Sequence, residues 1–256
     1  MSSDRTIIVG DVHGCMEELS ELLRLSDFRR GKDKLAFTGD LVDRGPASRE
    51  VVRFVRDLGA MVCKGNHEEK HLRYRRHEER RRLDAGYANP MKSISEGFLA
   101  VHRSLGEDDF EYLERLPLFH RLDANLAVIH GGLEPGKPLE VQKANVLVRC
   151  RYVGAPGSLQ AGRYLPAAGP RQIPPGSCFW TSAWTGPENV IYGHHVHDLA
   201  QVREDRPRDG VCCWGLDTGC CFGGHLTAMI RESEWIEYVQ VKARATYAEF
   251  LGNGDE

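Results

Sequence analysis

The chain has 256 residues and a formal net charge of −3, which allows one large domain or two small ones and gives no global pull toward nucleic acid or an anionic membrane. No apolar run reaches the roughly 18 residues of a membrane-spanning helix, and MSSDRTIIVGD places Asp4 where a signal peptide carries cations, so a cytoplasmic protein with no membrane partner is expected. Eight cysteines in a chain of this size are expected to stay reduced and mostly buried, since the adjacent pairs in VCCWGLDTGCC lack the spacing of a structural zinc site.

From the N-terminus, apolar runs alternate with helical periodicities. TIIV reads as a buried strand, and CMEELSELLRLS as a helix with Met16, Leu19, Leu22 and Leu23 on one face. KLAF is the next strand; ASREVVRFVRDLG follows as a helix that buries Val51, Val52, Val55 and Leu58 and stops at Gly59. AMVC leads into EEKHLRYRRHEERRRL, where glutamates interleave with arginines at i,i+3 and i,i+4, the pattern of a solvated helix face rather than of a nucleic-acid patch. Residues 90–120 read as helical, and ANLAVIHGG and ENVIYGHH as two more apolar runs ending on glycine and histidine. The stretch 154–177 is rich in Gly and Pro and reads as a long irregular loop on the substrate side. GVCCWGLDTG, GHLTAMIR and EWIEYVQV read as strands that close a sheet. Without repeats or a linker, a single domain over 1–256 is expected, and the alternation by itself suggests a layered α/β fold with a doubly wound sheet.

Five apolar runs end on ligand-type side chains: Asp11 and His13 in GDVHG, Asp40, Asp43 and Arg44 in GDLVDRG, Asn66 and His67 in GNHE, His130 in IHGG, and His194 or His195 in YGHH. Singly, Asp11 and Asp40 read as helix caps, Asn66 as the cap of a helix starting near Glu68, and His130 as a core histidine. Together they fall at the carboxyl ends of strands, where loops converge on a ligand in α/β sheets. Oxygen and nitrogen donors without thiolate suit Mn²⁺, Fe or Zn²⁺. One carboxylate can bridge two such ions about 4 Å apart, an arrangement that activates water and clamps an in-line displacement at phosphorus. Arg44 offers a bidentate donor for a phosphate oxygen. His67 can protonate a leaving oxygen, with Asp43 holding its imidazole in the right tautomer.

In that order, GDVHG, GDLVDRG, GNHE, HGG and GH resemble the phosphoprotein-phosphatase branch of the calcineurin-like metallophosphoesterases, and LDTGCCFGGHLTA is similar to the closing strands of its bacterial members. The resemblance implies a central β-sandwich flanked by α-helices, in place of the doubly wound sheet. It implies two divalent metal ions, manganese first, with iron, zinc, nickel or cobalt also suited. Asp11, His13 and Asp40 would hold the first and Asn66, His130 and His194 the second, with Asp40 bridging. It implies His67 as general acid oriented by Asp43, Arg44 on phosphate, and a second phosphate arginine, for which Arg149 and Arg151 in VLVRCRYV are the candidates.

Two substrates compete within that branch. A Ser/Thr-type phosphoprotein phosphatase, with broader monoesterase activity, is the first reading, and a diadenosine-tetraphosphatase-like hydrolase of a phosphoanhydride is the alternative. Phe179, Trp180, Trp184, Arg163 and Arg171 are candidates for stacking an adenine and gripping extra phosphates, although aromatics at such a place more often serve loop packing. A phosphodiesterase or nuclease is disfavoured because Val196 stands where a Gly-His-x-His ending needs histidine, and a non-catalytic binding module because no ligand is lost. The sequence carries no signal of oligomeric state.

Overall fold

The computed structural model describes residues 5–91, 94–167, 172–233 and 235–249. In chain order the elements are β1 (Arg5–Val9), α1 (Met16–Leu25), β2 (Lys34–Phe37), α2 (Ser48–Leu58), β3 (Met61–Val62), α3 (Asn66–Leu83), α4 (Glu96–Ser104), α5 (Glu107–Arg115), β4 (Phe119–Asp123) and β5 (Leu126–Ile129). They continue with α6 (Ala144–Arg149), β6 (Tyr152–Gly154), β7 (Tyr164–Leu165), β8 (Ser177–Phe179), α7 (Trp180–Ala183), β9 (Asn189–Tyr192), β10 (Arg203–Arg208), β11 (Val211–Gly215), β12 (His225–Glu232) and β13 (Trp235–Lys242).

Two five-stranded sheets result, in the orders β13-β12-β1-β2-β3 and β10-β11-β9-β5-β4. Ile8, Ala36 and Met229 from the first sheet meet Leu126, Val128 and Ile191 from the second in one buried cluster, which makes the pair a sandwich. The alternation of apolar runs with helices did not specify this: β1, β2 and β3 are parallel, but β12 pairs antiparallel to β1 and the later strands build a second layer. The outer face of the first sheet is covered by α1, α2 and α5, with Leu19, Leu22, Val51, Val55 and Leu113 fully buried. Each helix buries the apolar stripe that its 3.6-residue period supplies.

Each sheet contains a parallel run, β1-β2-β3 at one side of the first and β5-β9-β11 at the centre of the second. Their carboxyl ends lead into the loops that carry the candidate residues. The stretch 154–177 is not irregular throughout, since β6, β7 and β8 pair as a small antiparallel sheet beside the second layer. The segment read as helical to residue 120 ends earlier, at Arg115, and Phe119 already begins β4. The Arg-rich α3 is ion-paired along its surface, Arg75 with Glu79 and Glu107 and Arg81 with Glu78. All eight cysteines are free thiols. No helix among the described residues is long and apolar enough to cross a membrane.

Candidate metal centre

The backbone is bent where the side chains converge. Among the described residues, His13, Asp40, Asp43, Arg44 and His194 have left-handed φ values of 47°, 49°, 70°, 69° and 68°. Such conformations cost of order 1–3 kcal/mol each and persist where the surroundings over-determine them. Two close approaches need glycine: a Cβ on Gly193 would stand 1.9 Å from Asp11 Oδ1, and one on Gly65 would stand 2.1 Å from Asp40 Oδ1.

Asp40 is at the centre. Its Oδ2 lies 3.3 Å from His130 Nε2, 3.6 Å from His13 Nε2 and 3.9 Å from His67 Nε2. Its Oδ1 accepts from the His67 amide at 3.0 Å. Glu68 fixes this loop from beneath: Oε2 accepts from the amides of Asp40 (3.0 Å) and Gly65 (2.8 Å), and Oε1 from that of Leu41 (2.8 Å). The cap of α3 is therefore Gly65 with Glu68, and Asn66 is left to face the site.

The imidazoles are oriented by their second nitrogens. His13 Nδ1 donates to the Val42 carbonyl at 2.8 Å and His130 Nδ1 to the Thr38 carbonyl at 3.1 Å, which turns both Nε2 atoms inward. Asn66 Oδ1 lies 2.9 Å from both His130 Nε2 and His194 Nδ1. Of the two adjacent histidines, His194 joins the cluster. His195 is turned away and packs on Phe179 and His197, with ring centroids 5.0 and 4.2 Å apart.

Asp11 caps no helix; α1 begins after Cys15 with no side-chain cap. Its Oδ1 accepts from the Thr38 hydroxyl at 2.8 Å and its Oδ2 from the His194 amide at 2.7 Å, so it ties two strand ends together. Asp40 likewise does not cap α2, whose first turn follows Ala47.

His67 Nδ1 donates to Asp43 Oδ2 at 2.6 Å, and His71 Nε2 donates to Asp43 Oδ1 at 2.8 Å. Burial alone would raise the Asp43 carboxyl, but these two bonds outweigh it and hold it well below the usual carboxylate range. Arg44 Nη1 donates to His13 Nε2 at 2.8 Å, and its guanidinium lies over Phe222 at 4.8 Å.

The two candidate arginines separate. Arg149 pairs with Glu69 of α3 at 2.6 Å, whereas Arg151 is buried and its charge, after burial itself, helps push the His194 and His195 imidazoles down. Trp180 and Trp184 are fully buried against Tyr192, Leu147 and Val153, so they are core side chains and not a stacking platform. Arg163 is exposed, and Arg171 lies outside the described residues.

The donor chemistry fits divalent cations. Two buried groups share Asp40, namely His13–Asp40–His67 and Asp40–His130–His194, each with its ligand atoms within 4.8 Å of one another. Asp11 stands in neither group, and the first includes His67, whose ring lies beside Asp40 and His13. Asp217 adds a further buried carboxylate. Burial, then the charge of Asp217, pushes the Asp11 carboxyl well above its ordinary value. Burial lowers His130, yet the charges of Asp40 and Asp11 override it and carry His130 up to about 9. A site that crowds acids this way and charges a histidine to compensate is one a cation stabilises.

Sequence reading did not single out Asp217, Glu68, Thr38 or His71. Asp217 follows the apolar VCCWGL as Asp11 follows TIIV, and His71 stands four residues after His67 on one helix face; both signals were present.

Buried His, Asp and Asn donors grouped around a shared carboxylate, at the strand ends of a β-sandwich, fit a metal-dependent phosphoesterase. The family described as calcineurin-like phosphoesterase matches residues 5–226, and the chain belongs to it. It is a hydrolase acting on phosphate esters or anhydrides. A protein of Psychromonas ingrahamii named symmetrical bis(5'-nucleosyl)-tetraphosphatase is 29% identical, over 88% of this chain and 92% of its own. A crystal structure provisionally described as a diadenosine tetraphosphatase is 28% identical and superposes with a TM-score of 0.69 over 92% of this chain and 93% of its own. A Saccharomyces cerevisiae protein serine/threonine phosphatase shares the fold, with a TM-score of 0.54 at 16% identity over 94% of this chain and 80% of its own.

Proposed function

We propose that this chain hydrolyses dinucleoside polyphosphates such as diadenosine tetraphosphate at a phosphoanhydride, cutting symmetrically. The observation that carries the reading is the likeness, across nearly the full length of both chains, to proteins named symmetrical bis(5'-nucleosyl)-tetraphosphatase. The phosphoprotein-phosphatase reading, preferred on motifs alone, rests on a likeness of fold at 16% identity and so yields first place.

Asp11, His13 and Asp40 would hold one divalent cation and Asn66, His130 and His194 the other, with Asp40 shared; His195 is no ligand. When bound, such cations, manganese by preference, supply Lewis acidity toward phosphorus and a water that ionises near neutral pH. Arg44 donates to the His13 lone pair that a cation would take; with that lone pair engaged, its guanidinium would be free to donate to a phosphate oxygen. Arg151, buried beside His194, is the second phosphate donor; Arg149 anchors α6 to α3 through Glu69. His67 delivers the proton to the departing phosphate oxygen from Nε2, because Nδ1 is committed to Asp43.

Turnover of diadenosine tetraphosphate and of a phosphoserine peptide, at equal enzyme with Mn²⁺, tests the substrate. Faster turnover of the dinucleotide is expected, and the reverse order would return the phosphoprotein reading to first place.

A further inference from the structure

Outside the centre described above, one other group of buried metal-ligating side chains exists among the described residues: Cys15, Glu18 and Cys220, with ligand atoms within 4.8 Å of one another. Cys15 immediately precedes α1, Glu18 lies in its first turn, and Cys220 follows β11. All three are at most 1% exposed.

The C-terminal stretch closes over the group. Tyr247 Oη and the Arg244 amide both donate to Glu18 Oε1, at 2.8 and 2.9 Å. The amides of Tyr247 and Ala248 donate to the Cys221 carbonyl at 2.9 and 3.0 Å. One carboxylate oxygen is thereby satisfied. The other, Glu18 Oε2, is sealed from solvent with no hydrogen-bond partner among the described residues. A carboxylate oxygen in that condition is costly unless something positive meets it. Its neighbours in the group are two sulfurs.

We infer that Cys15, Glu18 and Cys220 form a further metal site, distinct from the Asp/His/Asn centre, for a borderline-soft divalent cation of the zinc class. Two sulfurs and one carboxylate oxygen are zinc-type donors. In tetrahedral coordination with metal–sulfur bonds of about 2.3 Å, the sulfurs stand about 3.8 Å apart, so a group whose ligand atoms lie within 4.8 Å of one another need contract by no more than about 1 Å. On binding, each thiol loses its proton to solvent, two thiolate lone pairs form the sulfur–metal bonds, and Glu18 Oε2 forms the third. The fourth position falls to water. Cys15 stands two residues after His13, and Cys220 three after Asp217. The cation would therefore brace the loop that presents His13 against the segment that presents Asp217.

Cobalt(II) is the probe, because thiolate-to-cobalt charge transfer absorbs in the near ultraviolet and the nitrogen and oxygen donors of the other centre give no such band. The full-length protein is saturated with Co²⁺ under reducing conditions, dialysed, and read by absorption and metal content. The expected result is the charge-transfer band. Cys15→Ser and Cys220→Ser should each diminish it, and the double variant should abolish it. Glu18→Gln should keep the band but weaken its titration by at least roughly 10-fold, the lower end of what loss of an outer-shell partner costs a metal site. Absence of the band in the wild-type protein overturns the inference, as does a band that survives in the double variant. Circular dichroism reports folding; if a cysteine variant fails to fold, the wild-type band and the Glu18→Gln titration decide, and a Glu18→Gln curve identical to wild type counts against the site.

Discussion

Asp43→Asn isolates the proton-donating arm of the site. Asp43 accepts from His67 Nδ1 at 2.6 Å and from His71 Nε2 at 2.8 Å, and the substitution keeps its size while removing its charge. A charge-assisted hydrogen bond is worth about 1.5–3 kcal/mol. At about 1.4 kcal/mol per tenfold in rate, loss of the bond to His67 should slow turnover by roughly 10- to 100-fold. His67→Ala removes the donor outright and should cost about 10²–10³. Because Asp43 acts on the chemistry through His67, the double variant should be no slower than His67→Ala alone. The assay is kcat at saturating Mn²⁺ with an alkyl phosphate monoester and with p-nitrophenyl phosphate, whose leaving group needs little protonation and should show smaller losses throughout. Losses that multiply in the double variant, or that are equal for both substrates, would refute the arrangement.

Chelation should abolish hydrolysis and Mn²⁺ restore it; full activity in excess chelator would contradict the metal-dependent centre. His194→Ala should lower metal stoichiometry and activity together, while His195→Ala should leave the stoichiometry unchanged, as measured by elemental analysis. The Asp43 carboxyl, held low in the folded protein, contributes stability that is complete above its unfolded pKa of about 4 and is lost as pH falls below that value. Asp43→Asn should therefore flatten the acid limb of a denaturant-monitored stability profile. Gly193→Ala, which drives a methyl into Asp11 and Thr38, should cost about 1–3 kcal/mol by urea titration. Trp180→Ala should cost about 3–5 kcal/mol of stability, as a core truncation does, and would contradict the packing if it raised KM alone.

Much of the site was legible because each ligand-type residue interrupts an apolar run, and strand ends are where such interruptions meet. Asp40, His130, Asn66 and His194 come together at such ends, and the charged face of α3 was readable from its i,i+4 pairs. The sandwich was not readable from alternation, because a local pattern does not say which of two layers a strand joins; β11 and β12 are ten residues apart yet lie in different sheets. Whether Trp180 and Trp184 pack or stack a base was not readable locally, because a Gly/Pro-rich neighbourhood does not say which way they face; pairing of β6 with β8 folds them inward, the packing role. Glu68, His71 and Thr38 act by holding other side chains, and such roles depend on contacts across 27 or 28 residues that no local pattern encodes.

The most direct test of the proposed reaction is product analysis after incubation of diadenosine tetraphosphate with the Mn²⁺-loaded enzyme. Symmetrical cleavage should yield ADP as the sole nucleotide product, with His67→Ala and Asp43→Asn slowing its appearance without changing its identity. Accumulation of ATP with AMP, or an intact dinucleotide beside a rapidly dephosphorylated phosphoserine peptide, would contradict it.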